Sequence, residues 1–143
     1  MKKVKLILAF FLAALFTGCL DDDDNIPFFY DVVAIEEVTI PDEFTRGETY
    51  KITVSYFRPS TCHSFSGFDY GGFGNERTVA VFNIVIDDDT TPCEDLERTE
   101  LVEASFTFFV GRENSYVFRF WQGRDDQGNN QFLTIEVPVV DEQ

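Results

Sequence analysis

The residues able to do chemistry fall into four groups. Cys62 and His63 are adjacent, and Cys93 lies 31 positions beyond Cys62. Residues 61–76, TCHSFSGFDYGGFGNE, combine His63, Phe65, Phe68, Tyr70 and Phe73 with four glycines. Aromatic rings on a glycine-rich segment make a recognition surface for sugars or proteins, because ring faces stack on apolar sugar faces and anchor interfaces. The same rings would equally serve as the core of an irregular strand. Arg119 and Trp121 share a strand face opposite Phe118, where a cation and an indole form a binding patch or pack against a neighbouring segment. Carboxylates cluster at Asp87, Asp88 and Asp89, at Glu94 and Asp95, and at Asp125 and Asp126 beside Asn129 and Asn130. Calcium takes about six to eight oxygens, but D-D-Q-G-N-N lacks the spacing of an EF-hand loop, and a solvated acidic loop accounts for it.

Catalysis has little support. His63 could activate Cys62 only if that sulfur were a free thiol, since the thiolate is the nucleophile. No G-x-S-x-G, H-E-x-x-H or P-loop spacing occurs. Carboxylates are plentiful, but a glycosidase pair needs a cleft, and a small all-β domain offers little depth. No enzyme activity, cofactor or metal is expected.

The first residues carry an address. Lys2, Lys3 and Lys5 form a basic start, Leu6 to Phe16 an apolar run too short to span a bilayer, and Thr17-Gly18-Cys19 a small-residue approach to a cysteine. Leu15-Phe16-Thr17-Gly18-Cys19 resembles the bacterial lipobox, with Phe16 standing where Leu is usual. The resemblance implies cleavage before Cys19, a thioether-linked diacylglycerol on its sulfur and acylation of the new amino group. Two or three chains, at about 0.8 kcal/mol per buried CH2, anchor stably where one does not. Asp21, Asp22, Asp23 and Asp24 follow. An acidic run after the lipidated cysteine resembles the surface-export signal of Bacteroidota lipoproteins, and it is also what an extended, self-repelling spacer requires. Leu20 departs from the small polar residue often found there. The resemblance implies display on the outer face of the outer membrane, with a periplasm-facing location as the alternative. Residues 1–18 are thus expected to be a signal peptide and 19–27 a lipidated acidic tether, leaving 28–143 as the domain.

The formal charge is −15, and removing Lys2, Lys3 and Lys5 with the signal takes it to −18. So acidic a surface repels phosphates, which excludes nucleic acid as a partner and argues against docking on anionic lipid through a basic patch. With Cys19 assigned to lipid, Cys62 and Cys93 remain as an even pair in an exported chain, which is most simply a disulfide. Free thiols or a metal site are the alternatives, and His63 is the only histidine available as a further ligand.

Stepping along residues 28–143, short period-two runs recur between turn signals, as in a sandwich or barrel. Strands are expected at Phe28–Ile35 with a continuation at Glu37–Ile40, then at Tyr50–Tyr56, Ser64–Tyr70, Arg77–Ile86, Val102–Val110, Tyr116–Trp121 and Gln131–Val139. Arg77–Ile86 is apolar on both faces except at Asn83, so it should be central. Cys93–Arg98 reads as a helical turn. About seven strands without long helices suggest an immunoglobulin-like antiparallel β-sandwich, and Tyr116 after a polar turn resembles that fold's tyrosine corner. If the second to fourth strands formed a meander, Cys62 and Cys93 would meet at one pole. The expected function is a lipid-anchored envelope protein acting as a binding or structural accessory module toward a glycan, a protein or an envelope assembly. A small extracytoplasmic hydrolase with its site near Cys62 and Cys93, or a calcium-stabilised adhesion module, is the alternative.

Overall fold

The computed structural model describes residues 26–88 and 90–142. Cys19 and the Asp21–Asp24 run lie outside the described residues. Nine strands form, and among the described residues there is no helix. They are β1 (Phe28–Val33), β2 (Ile35–Thr39), β3 (Phe44–Thr45), β4 (Thr49–Phe57), β5 (His63–Phe73), β6 (Glu76–Ile86), β7 (Leu101–Phe109), β8 (Ser115–Arg124) and β9 (Asn130–Val140).

Two sheets pack face to face. The smaller has the order β2-β4-β7, all antiparallel. In the larger, β6 is central as its two-faced apolar sequence requires. β5 pairs along one edge of β6. The other edge is shared by β1, antiparallel at Val81–Ile86, and β8, parallel at Glu76–Val79. β9 then follows β8, and β3 follows β9. The strand anticipated from Phe28 to Ile40 is two strands, because at Ala34 the chain leaves the larger sheet for the smaller. With the two-residue β3 this gives nine strands in place of about seven.

Alternation sets which side chains turn inward. Ile52, Val54 and Tyr56 of β4, Ala104 and Phe108 of β7, and Tyr116, Phe118 and Phe120 of β8 are buried. Each large apolar side chain so buried contributes roughly 1.5–3 kcal/mol. The rings interlock: Phe118 stacks on Phe120 at 5.8 Å and meets Phe108 edge-on at 5.1 Å. Tyr116 behaves as a tyrosine corner, its hydroxyl accepting the Gly111 N–H at 2.9 Å. Tyr50 repeats the device with the Thr45 N–H, also at 2.9 Å and five residues upstream.

Two sequence expectations are corrected. Residues 93–98 form no helical turn. Asp95 bridges to Ser60, and Glu97 and Arg98 take left-handed φ values of 45° and 60°. Nor do the second to fourth expected strands form a meander, since β4 lies in one sheet while β5 and β6 form a hairpin in the other. The disulfide Cys62–Cys93 is present, and its origin is that hairpin. His63 pairs with Val85, and the Ile86 N–H donates to the Cys62 carbonyl, so the open end of the hairpin places both cysteines together.

Candidate functional site

The outward face of the larger sheet carries a contiguous apolar patch. β1 presents Phe28, Tyr30 and Val32 there, and β6 presents Phe82, Ile84 and Ile86 in register with them. Phe28, Tyr30, Val32 and Ile86 are exposed. Tyr30 meets Phe28 at 5.8 Å and Phe82 at 6.5 Å, both edge-on. Contiguous exposed apolar surface of this kind marks interaction sites far more often than scattered single residues do.

This face dips into a shallow depression of about 640 Å³ toward β8 and β9. Its walls include Tyr30, Trp121 and Phe132, and its rim carries Asp69, Thr78, Arg124 and Asn130. Trp121 and Phe132 are cross-strand partners. The Trp121 Nε1–H donates to Asn130 Oδ1 at 3.1 Å, and Arg124 Nε donates to the same oxygen at 3.2 Å. Arg119 covers the Phe132 ring at 4.3 Å from its centroid, so its cation stacks on the phenyl ring next to the indole. The register shift between Trp121 and Arg124 brings Arg124 opposite Asn130 and closes a polar rim around the rings.

The loop joining β8 to β9 is organised by Asp125. Its Oδ1 accepts the N–H groups of Gln127 and Asn129, and its Oδ2 accepts from the Asn129 and Gln131 side-chain amides. Hydrogen bonds from Asn129, first from its backbone and then from its side chain, hold this carboxyl below its ordinary value. Its oxygens are thus satisfied by donors of its own loop. Among the described residues no three His, Cys, Asp or Glu side chains converge on a common metal position.

The remaining candidates lie elsewhere. Phe68 and Tyr70 turn to the inner side of β5, where Phe68 meets Phe106 at 5.1 Å and Tyr70 meets it at 5.8 Å. Phe73 stands 92% exposed at the hairpin tip. The aromatic loop and the Arg119–Trp121 pair are therefore separate surfaces.

A constellation invisible to the sequence reading appears beside the disulfide. Ser60 Oγ lies 2.7 Å from His63 Nδ1, and His63 Nε2 lies 3.1 Å from Asp31 Oδ2. With the proton on Nε2, the ring donates to Asp31 and accepts from Ser60. The residue types are those of a serine hydrolase, and the same contacts link segments of the fold. Ser60 and His63 form a local i, i+3 contact, and the Cys62 N–H donates to the Ser60 hydroxyl at 3.3 Å. The line thus ties the 58–63 segment to β1. Ser60 three residues before His63 was the only local signal, because Asp31 is 32 positions away.

A second hollow of about 500 Å³, lined by Phe57, Arg58, Pro59 and Arg98, lies near the same pole. Each of its arginines has a carboxylate within 4 Å. Arg98 stacks on Phe57 at 4.4 Å and pairs with Glu36 at 2.9 Å, and Arg58 lies 3.4 Å from Glu100.

The chain matches no protein-family model, no curated protein and no solved structure.

Proposed function

We propose that this protein is a lipid-anchored binding module that takes a glycan on the outward face of its larger sheet. The observation that carries the reading is the depression walled by Trp121, Phe132 and Tyr30 and rimmed by Asp69, Arg124 and Asn130. A sugar ring offers apolar C–H faces and hydroxyl edges. Stacking on an indole buries the face. A carboxylate, an amide and a guanidinium around it supply acceptors and donors for the edge. The indole is held before ligand arrives, so little ordering cost is left to binding. An acidic surface disfavours anionic polymers such as nucleic acid and leaves neutral glycans unopposed.

Turnover is not part of the reading. The depression is open and shallow, and the Ser60 hydroxyl is engaged by His63 and by the Cys62 N–H. In this reading Cys19 is the anchor, and Asp21–Asp24 are the export signal and spacer that display the domain on the outer face of the outer membrane. Trp121 is the sole tryptophan, so its fluorescence reports the site directly. Titration with neutral oligosaccharides should change the emission saturably, and a set that leaves it unaltered throughout would count against the glycan reading. Cys19→Ser should release the protein from membranes, and unchanged fractionation would remove the anchor.

A further inference from the structure

A sandwich has two long sides, and here they are treated differently. On one side the chain itself crosses between sheets at Ala34, and β3 adds to β9. On the other side, among the described residues, β5 pairs only with β6 and β7 pairs only with β4. Both are therefore free edges, 11 and 9 residues long. Between them runs a groove of about 420 Å³, lined by Phe68, Tyr70, Arg77, Phe106, Phe108 and their neighbours. Among the described residues the chain passes between the sheets at both ends of this side, through segments 58–62 and 87–100 at the disulfide pole and from β7 to β8 through 110–114 at the other.

Free edges are usually blunted with charge, proline or short length. These are not. β5 has no proline or lysine, and its one carboxylate, Asp69, belongs to the outward depression. β7 has no proline or lysine either, and its one carboxylate is Glu103. In a chain with 26 acidic residues, the groove holds a single charged side chain, and it is a cation. Arg77 lies 5.1 Å over the Tyr116 ring and 5.8 Å from that of Phe108. It donates to the carbonyls of Gly74 and Glu76 and has no ion-pair partner among the described residues.

We propose that this groove accepts an extended strand from another protein, apolar at alternate positions and bearing a carboxylate that meets Arg77. A strand added to a free edge satisfies its main-chain groups there and sends every second side chain between the sheets. Those side chains would land on Phe68, Tyr70, Phe106 and Phe108. A second copy of this chain is a poor occupant. Its free edges already turn their alternate rings into its own core, and its formal charge of −15 opposes self-association. The inference uses a different surface from the glycan depression and stands without it.

The test is selection of a random phage-displayed peptide library on the full-length protein in detergent. Enriched peptides should alternate apolar residues and carry an Asp or Glu. On binding, amide exchange should slow along one of the two edges, residues 63–73 or 101–109, and stay unchanged in β9. Arg77→Glu should weaken those peptides tenfold or more. If that variant fails to fold, Thr107→Glu at the exposed groove wall should weaken them as well. Absence of enrichment, peptides without alternation or acid, or protection outside the two edges overturns the proposal. So does sedimentation showing a dimer whose protected amides are those of β5 and β7, because the occupant would then be a second copy.

Discussion

Trp121 and Asn130 face one another across the end of the β8–β9 hairpin, with the indole N–H donating to the amide oxygen at 3.1 Å. That oxygen also takes the Arg124 Nε–H. One acceptor thus fixes both the ring and a rim cation. Asn130→Leu keeps the approximate volume and removes the acceptor. Acrylamide quenching of Trp121 should rise and glycan affinity fall about tenfold, the scale of one hydrogen bond of roughly 1.4 kcal/mol. Quenching and affinity equal to the parent would mean the indole is held by packing alone.

Asp125 makes the same site sensitive to acid. Its carboxylate is held below the ordinary 3.8 by the Asn129 backbone and side-chain donors. A lowered folded value stabilises the loop at all pH above the unfolded value, and the contribution is lost as pH falls through the folded one. Trp121 emission should therefore be flat from neutral pH to about pH 4 and change below it. Asp125→Asn should remove that step, and a step that persists in the variant assigns the transition to another group.

The disulfide closes a loop of 31 residues. On the chain-entropy model it stabilises by about 3–4 kcal/mol. Denaturant unfolding of the double variant Cys62→Ser, Cys93→Ser should show a loss of that size. A midpoint within error of the parent would mean the β5–β6 hairpin holds this pole unaided.

Tyr116 and Gly111 are a matched pair. A Cβ on Gly111 would lie 2.9 Å from the Tyr116 hydroxyl, so the corner needs glycine. Tyr116→Phe leaves the Gly111 N–H unpaired and should cost about 1–3 kcal/mol. Equilibrium unfolding measures it, and a neutral result would show that water replaces the hydroxyl.

Much of this fold was legible because period two is a local signal. Ala104, Phe106, Phe108 and Val110, and Tyr116, Phe118 and Phe120, turned inward where alternation put them. Alternation names the face of a strand but not its neighbour. The sheet change at Ala34, the parallel contact of β6 with β8 and the pairing of β5 away from β4 are long-range choices with no local mark. The left-handed backbone at Glu97 and Arg98 was equally hidden, since neither is a residue that favours it. For the site, Trp121 and Arg119 were visible as a strand-face pair. Asn130, Asp69 and Tyr30 join them only through non-local register.

The glycan face is tested most directly by calorimetric titration of the folded protein and its Trp121→Ala variant with the same neutral oligosaccharides. The account predicts saturable binding to at least one of them, reduced tenfold or more in the variant while its thermal unfolding stays cooperative. Binding of equal strength in the two proteins, or none in the parent, would contradict it.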